Sequence, residues 1–521
     1  MTTLYYGGPI LTMSDPLYVP ALLTGDGKIL AVGEKDELRS LAPDAALVDL
    51  DGRALLPGFI DSHSHLTAYS LAQNACSVSG AADAGEIARR IRAYLEEKRP
   101  EPGSFLTVRG YDNTALPGGR HPSLDEIDAF APGYPLCIRH KTEHLGIFNS
   151  AAMERLGVTP ETPDPPGGRI VREDGRLTGV FEEGAFSRYA ALLPAATAED
   201  VKNALLLGQQ KYFSYGITTA QDGMLSRREL TAYSLLAGEK KLLLDVFGNV
   251  SARGRDALLP LYRPEDTGGR LRLLSQKSVL DGSPQLRTAW MTKPYLGGDC
   301  YHAGVSDEWL TEAMRGATAA GLQVLCHCNG DATIDQFLRC AETVERETPR
   351  FRELRPVIIH AQFMRGDQLA RAAALGVIPS FFAAHVYHWG DVHLANLGRE
   401  RAAHCSPAAS ALALGLPFTF HQDAPVIEPD MLETLWCACC RRTKSGVRFE
   451  EAISPLDALR AVTVNAAYSY FEEDRKGILA PGRDADLVLL SADPLAVPPE
   501  ELRSLRVEAT VKAGERVFTA G

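Results

Sequence analysis

From Gly216 onward the chain alternates short apolar runs with helix-like stretches, and this alternation admits few architectures: parallel strands joined by helices that cover them. The apolar runs are Ile217 to Gln221, Leu242 to Val250, Leu271 to Val279, Leu322 to His327, Val357 to His360, Val377 to Phe382 and Phe418 to Phe420, and Leu55 to Ile60 supplies an eighth. Eight such units predict a (β/α)8 barrel in the α/β class. Helical patterns over Ser306 to Ala320, Asp331 to Glu347, Arg365 to Ala374 and Pro407 to Leu414 fall where its outer helices belong.

One interval does not fit. Residues 66–215, between the first and second strand candidates, far exceed a βα connection. They carry strand-like runs of their own, Phe105 to Gly110 and Leu136 to Lys141, and a Pro/Gly-rich patch at Thr162 to Gly168. They read as an inserted subdomain over one face of the barrel. The two ends share a different grammar, β-rich runs punctuated by Gly and Asp, such as Gly27 to Gly33 and Ala485 to Leu490, and such termini commonly pair into one small sheet domain. The expected organisation is 1–56 and 475–521 as that β domain, with the barrel over 57–474.

Charge and apolar patterning narrow the partners. With 54 Lys+Arg against 66 Asp+Glu the net charge is -12, which repels phosphate backbones and anionic lipid surfaces, so neither nucleic acid nor membrane is expected. No apolar run approaches the roughly 20 residues of a membrane span, and Met1 to Gly8 lacks the basic and apolar regions of a signal peptide. A cytoplasmic location follows as the expectation. Ten scattered Cys suit a reducing compartment, and Cys437-Ala438-Cys439-Cys440, at helical spacing with no second pair at zinc-site distance, reads as buried helix rather than a redox or zinc motif.

In a barrel the C-terminal strand ends converge, and here several of them end in metal-ligand residue types. His63 and His65 follow the first strand and share a face by strand alternation, His327 ends the fifth, His360 the sixth, and Asp423 follows the eighth. Imidazoles with a carboxylate suit Zn²⁺, with Mn, Fe or Co as substitutes. Asp423 has a rival reading as a helix N-cap.

The ordered set Pro57-Gly58-Phe59-Ile60-Asp61-Ser62-His63-Ser64-His65, Lys277-Ser278-Val279-Leu280-Asp281-Gly282-Ser283 with Arg287-Thr288-Ala289, His327-Cys328-Asn329-Gly330-Asp331, Ile359-His360-Ala361-Gln362, Asp423-Ala424-Pro425-Val426 and Gly477 to Val488 resembles the amidohydrolase superfamily, and within it the amidohydrolase-3, YtcJ-like group, over nearly the whole chain. The resemblance implies a distorted TIM barrel with a β-sandwich from both termini. It also implies a ligand the strand-end argument does not supply: Lys277, carboxylated by CO₂ and bridging two ions, one held by His63, His65 and Asp423 and the other by His327 and His360. Without that modification one ion suffices, and Lys277 is then a salt-bridging lysine.

The resemblance implies an amidohydrolase cleaving a non-peptide C–N bond in an N-substituted amide, formamide or cyclic amide, with Asp423 as general base toward a metal-activated water. His144, in a segment resembling D-G-H-x-x-x-x-N-S whose Asp-Gly is here Thr142-Glu143, is a candidate substrate contact, against a loop-packing role. Glu183 reads as an exposed helix-start carboxylate. Trp389, in the aromatic run His385 to Asp391, is a candidate pocket wall, against an ordinary rim loop. Where the family commonly has Gly-Ser before the strand-eight aspartate, this chain has His421-Gln422; His421 shares a face with Asp423 and is expected to narrow the substrate pocket or to partner a ligand from behind. The competing functions are a mononuclear ring deaminase, disfavoured because His327 lacks the H-x-x-E glutamate, and a non-catalytic small-molecule sensor. A small-molecule substrate and, as for many such barrels, a second copy of the chain are the expected partners.

Overall fold

The computed structural model describes residues 2–140, 145–165 and 167–521. Its barrel strands are β1 (Phe59–Asp61), β2 (Ile217–Asp222), β3 (Asp245–Ser251), β4 (Leu271–Val279), β5 (Gln323–Cys328), β6 (Val357–His360), β7 (Ile378–Phe381) and β8 (Thr419–Phe420). Each pairs in parallel with the next in chain order, so the β/α alternation is realised as a (β/α)8 barrel. β1, β2, β6, β7 and β8 are buried at every residue, which is why they read as continuous apolar runs rather than alternating ones. The seam between β8 and β1 is stitched by Ser62 Oγ donating to Phe420 O (2.9 Å), Asp423 N to His63 O (3.2 Å) and His65 N to Ala424 O (2.9 Å).

The expected strand from Leu55 to Ile60 is two strands in two sheets. Ala54–Pro57 pairs antiparallel with Leu487–Leu490, Gly58 N still reaches Asp486 O, and Phe59 N then turns to Gly216 O. Pro57 has no N–H to extend a ladder, and a Cβ on Gly58 would lie 2.5 Å from the Thr218 side chain, so this Pro-Gly pair is where the chain can change sheets.

The outer helices follow the expected intervals. Asp331–Glu347 buries Ile334, Phe337, Leu338, Ala341 and Val344, a stripe at i, i+3, i+4, i+7 spacing, and each large apolar side chain so buried contributes roughly 1.5 to 3 kcal/mol. Asp307–Ala319 starts at Ser306, whose side chain accepts from Trp309 N, and Gly366–Leu375 ends at Gly376 in the left-handed region (φ 67°). The aromatic run read as either a pocket wall or an ordinary rim loop is the start of helix His385–Leu397, because Val386, His393 and Leu397 bury one of its faces. Cys437, Cys439 and Cys440 lie buried on helix Met431–Cys440, and burial pushes all three thiols up, the reverse of a reactive cysteine.

The termini build one hydrogen-bonded sheet of eight described strands, in which Thr3–Leu11, Tyr18–Gly25, Lys28–Gly33, Ala46–Asp49 and Ala54–Pro57 join Leu487–Leu490, Val507–Lys512 and Glu515–Thr519. The insertion is a second compact unit, Leu71–Thr197, with a sheet of its own running from Gly168–Glu173 to Cys76–Ser77. It is shorter than the 66–215 expected, because helix Ala198–Ser214 belongs to the barrel unit: Tyr212 OH bonds Ser64 Oγ, and Gly208 packs against Ser70. Among the described residues no helix is long and apolar enough to cross a membrane.

Candidate metal centre

The strand ends bring six of the predicted residues together. His63 Nε2 and His65 Nε2 lie 3.3 and 3.6 Å from Asp423 Oδ1, and His360 Nε2 lies 3.8 Å from Asp423 Oδ2. The Lys277 amine, on β4, sits 3.0 and 3.2 Å from the Nε2 atoms of His63 and His65. The His327 ring, on β5, packs edge-on against His360 at 4.5 Å. Helix capping does not explain Asp423, since the next helix begins at Met431 with Asp430 as its cap.

Each imidazole is held neutral. Burial, then the Lys277 cation, lowers His63 well below the usual histidine range and takes His65 and His327 to about 3; burial, then the neighbouring His327, lowers His360 well below that range. Neutral imidazole is the ligating form. Hydrogen bonds select the free nitrogen. Gln221 Nε2 donates to Tyr470 OH (2.8 Å), which fixes Gln221 Oε1 as the acceptor for His63 Nδ1 (2.5 Å) and leaves His63 Nε2 bare toward Asp423. Tyr470 OH in turn donates to Ser62 O. The Asn329 amide nitrogen, which also donates to Gly282 O (2.8 Å), donates to His327 Nε2 (2.7 Å), so in this structure the proton of the neutral His327 ring lies on Nδ1.

Burial lowers the Lys277 amine to about 8, against an opposing pull from Asp423. His360, Ala361 and Asp423 all adopt left-handed backbone (φ 71°, 45° and 55°), conformations costing about 1 to 3 kcal/mol each outside glycine. Asp281 ties the loops below: it accepts from Asn329 N, Gly330 N, Trp290 N and Thr333 Oγ1, and burial pushes its carboxyl up to about 6. A Cβ on Gly330 would lie 1.9 Å from Trp290 O, so only glycine allows this approach.

The donor set fits a divalent cation. The ligand atoms of His63, His360 and Asp423 lie within 4.8 Å of one another, and Asp423 Oδ1, though buried, has no hydrogen-bond partner among the described residues. A buried carboxylate oxygen left without a donor but facing two imidazole nitrogens has the surroundings of a metal ligand.

The remaining predicted residues are placed differently. His421 has no exposed surface, so it offers nothing for a substrate to touch; it lies behind His360, with its Nε2 3.0 Å from His360 Nδ1. Trp389 is half-buried, its ring 4.5 Å from His385 and 6.0 Å from Phe382. His144 lies outside the described residues. Glu183 is exposed at the start of helix Gly184–Ala190, as expected. Sequence reasoning missed Gln221 and Tyr470. Gln221 lies near the end of β2, so the strand-end rule could have raised it had it admitted orienting as well as ligating residue types.

Fold and centre together define a (β/α)8 barrel with a cluster of metal-ligand residue types at the C-terminal strand ends. The chain belongs to the amidohydrolase family, whose model matches residues 46–518. It is 28% identical to an N-substituted formamide deformylase of Arthrobacter pascens, over 95% of this chain and 94% of that protein. It is 26% identical to the putative amidohydrolase YtcJ of Bacillus subtilis (strain 168), over 99% of each. Among solved structures, an uncharacterized metal-dependent hydrolase from Pyrococcus horikoshii OT3 superposes with a TM-score of 0.80 at 25% identity, covering 96% of this chain and 99% of that one. Family and donor set together imply a divalent metal.

Proposed function

We propose that this chain hydrolyses a non-peptide C–N bond, in an N-substituted amide, formamide or cyclic amide, at a centre held by His63, His65, Lys277, His327, His360 and Asp423. The observation that carries the reading is the unpartnered Asp423 Oδ1 facing the bare Nε2 of His63. The resemblance to a formamide deformylase over nearly the whole of both chains supports the substrate class.

His63, His65, His360 and Asp423 would hold a divalent ion, zinc by the donor set, and that ion would supply a water of lowered pKa and polarise the scissile carbonyl. Asp423, with Oδ1 toward the ion, would accept the proton of the attacking water on its other carboxylate oxygen and return it to the leaving nitrogen. The neutral fraction of the Lys277 amine could add CO₂ with release of a proton, and the carbamate would then offer an anionic oxygen donor beside His63, His65 and Asp423. Trp389 offers an aromatic wall, and His144 remains the candidate substrate contact from the insertion. None of the ten cysteines forms a disulfide, which fits a reducing, cytoplasmic setting.

The deaminase reading keeps its objection from the sequence, because the third residue after His327 is Gly330 rather than a glutamate. The test is metal content of purified protein together with turnover of N-substituted formamides and cyclic amides. Stoichiometric metal with turnover is the expected result; a stably folded protein that takes up no zinc would point to a sensor.

A further inference from the structure

We propose that His421 is a positioning residue that sets the tautomer of His360, presenting His360 Nε2 as a bare nitrogen to the metal centre. This rests on the reading of His360 as a ligand and extends it to a residue where the chain departs from the family's Gly-Ser.

The argument is a proton count along one hydrogen-bond chain. Ser62 Oγ donates its single proton to the backbone carbonyl of Phe420 (2.9 Å), so toward Ser380 Oγ, 3.1 Å away, it can only accept. Ser380 therefore spends its one proton on Ser62. It accepts from Thr419 Oγ1 (2.9 Å), and its remaining neighbour, His421 Nδ1 at 2.9 Å, must be a donor too. A ring with no solvent exposure, set among other imidazoles, stays neutral and carries one proton. That proton is on Nδ1, so His421 Nε2 is an acceptor. His360 Nδ1, 3.0 Å from it, must donate, and the lone pair of His360 is left on Nε2, the atom 3.8 Å from Asp423 Oδ2.

The chain's direction is fixed at its far end by a carbonyl, which cannot donate. Reversing it would leave two donors or two acceptors facing each other at a buried contact, at a cost of roughly 1 to 3 kcal/mol. Gln221 does the same for His63 from the opposite side, its amide anchored by Tyr470. Of the three ligands whose Nε2 atoms face Asp423, His63 and His360 are thus set by unrelated devices, an amide for one and an imidazole with three hydroxyls for the other.

The experiment compares the parent with His421→Leu, which fills volume without an acceptor, and His421→Gln, whose amide oxygen can accept from His360 Nδ1. In metal-free protein, histidine-selective ¹⁵N NMR, assigned with His360→Ala, reads the His360 tautomer. Zinc affinity is measured by chelator competition. The expected result is a single Nδ1–H tautomer in the parent, a mixed or inverted one in His421→Leu with zinc affinity weaker by about 10- to 100-fold, and recovery of most of both in His421→Gln. An unchanged tautomer in His421→Leu overturns the proposal. A tautomer that shifts in a protein whose parent takes up no zinc upholds the positioning role and instead defeats the metal reading.

Discussion

Lys277 and Lys476 lie at opposite ends of the barrel strands, and burial lowers both amines to about 8. Their company differs. Lys476 bonds Thr219 Oγ1 (2.7 Å) and Asp245, the first residue of β3, and lies 3.7 Å from Asp486 Oδ2. Lys512 bridges the same two carboxylates at 2.7 and 2.6 Å, and Arg270 adds a third cation to Asp245 at 2.8 Å. Burial alone would raise Asp245, yet Lys476, Lys512 and Arg270 hold it well below the usual carboxylate range. This cluster ties the closed end of the barrel to the terminal sheet. Lys277 faces imidazole nitrogens, with Asp423 as the opposing charge. The same desolvation thus serves a satisfied ionic lock at one end and a chemically open amine at the other; the neighbours, not the shift, decide which.

The largest effect that would sharpen this contrast is at the open end. Asp423→Asn should lower kcat/KM by about 10²- to 10⁴-fold while the fold is kept, measured on whichever amide or formamide the parent turns over. Full turnover in a metal-loaded Asp423→Asn protein would falsify the base assignment.

Exchanging the two lysines tests the comparison directly. Lys277→Ala should lose metal, read by elemental analysis, with little change in the unfolding midpoint. Lys476→Met should do the opposite, losing up to about 3 kcal/mol in denaturant unfolding and keeping its metal, since it leaves Asp245 and Asp486 with one cation fewer. Equal metal loss in both would erase the distinction.

A smaller effect separates the amines by reactivity. Carboxylation needs the neutral amine, and with a pKa near 8 that fraction is about 1% at pH 6 and half at pH 8. Reconstitution of stripped protein with zinc and bicarbonate should therefore accelerate as pH rises from 6 to 8. Native mass spectrometry should show an added CO₂ that persists in Lys476→Met and vanishes in Lys277→Ala; an adduct surviving in Lys277→Ala would place the modification elsewhere.

The smallest test concerns the closed end alone. Gly58→Ala pushes a methyl against Thr218 and should cost about 1 to 3 kcal/mol of stability without changing metal content, and Thr218→Ala should restore part of that loss.

Much of the centre was legible because barrel topology is simple. Residues ending parallel strands must meet, so His63, His65, His327, His360 and Asp423 could be gathered from strand ends alone, and Lys277 from the motif around it. What orients them was legible only in part. Strand alternation raised His421 as a partner behind a ligand but not which ligand, since His421 meets His360 across 61 residues, and nothing marked Gln221 and Tyr470, which meet across 249. The run His385 to Asp391 did not read as a helix because aromatic and histidine side chains are weak helix formers, yet packing along one face made it helical. Residues 55–60 looked like one strand because apolarity reports burial and not which sheet does the burying.

The sequence by itself determined the barrel, the inserted unit and the identity of the polar strand ends, since strand and helix periods and the parallel β/α order are local properties that add up along the chain. The tertiary structure decided which nitrogen of each histidine is bare, which buried lysine is locked and which is open, and where the chain changes sheets. Those depend on which donor faces which acceptor at about 3 Å, a distance set by the packing of segments far apart in the chain.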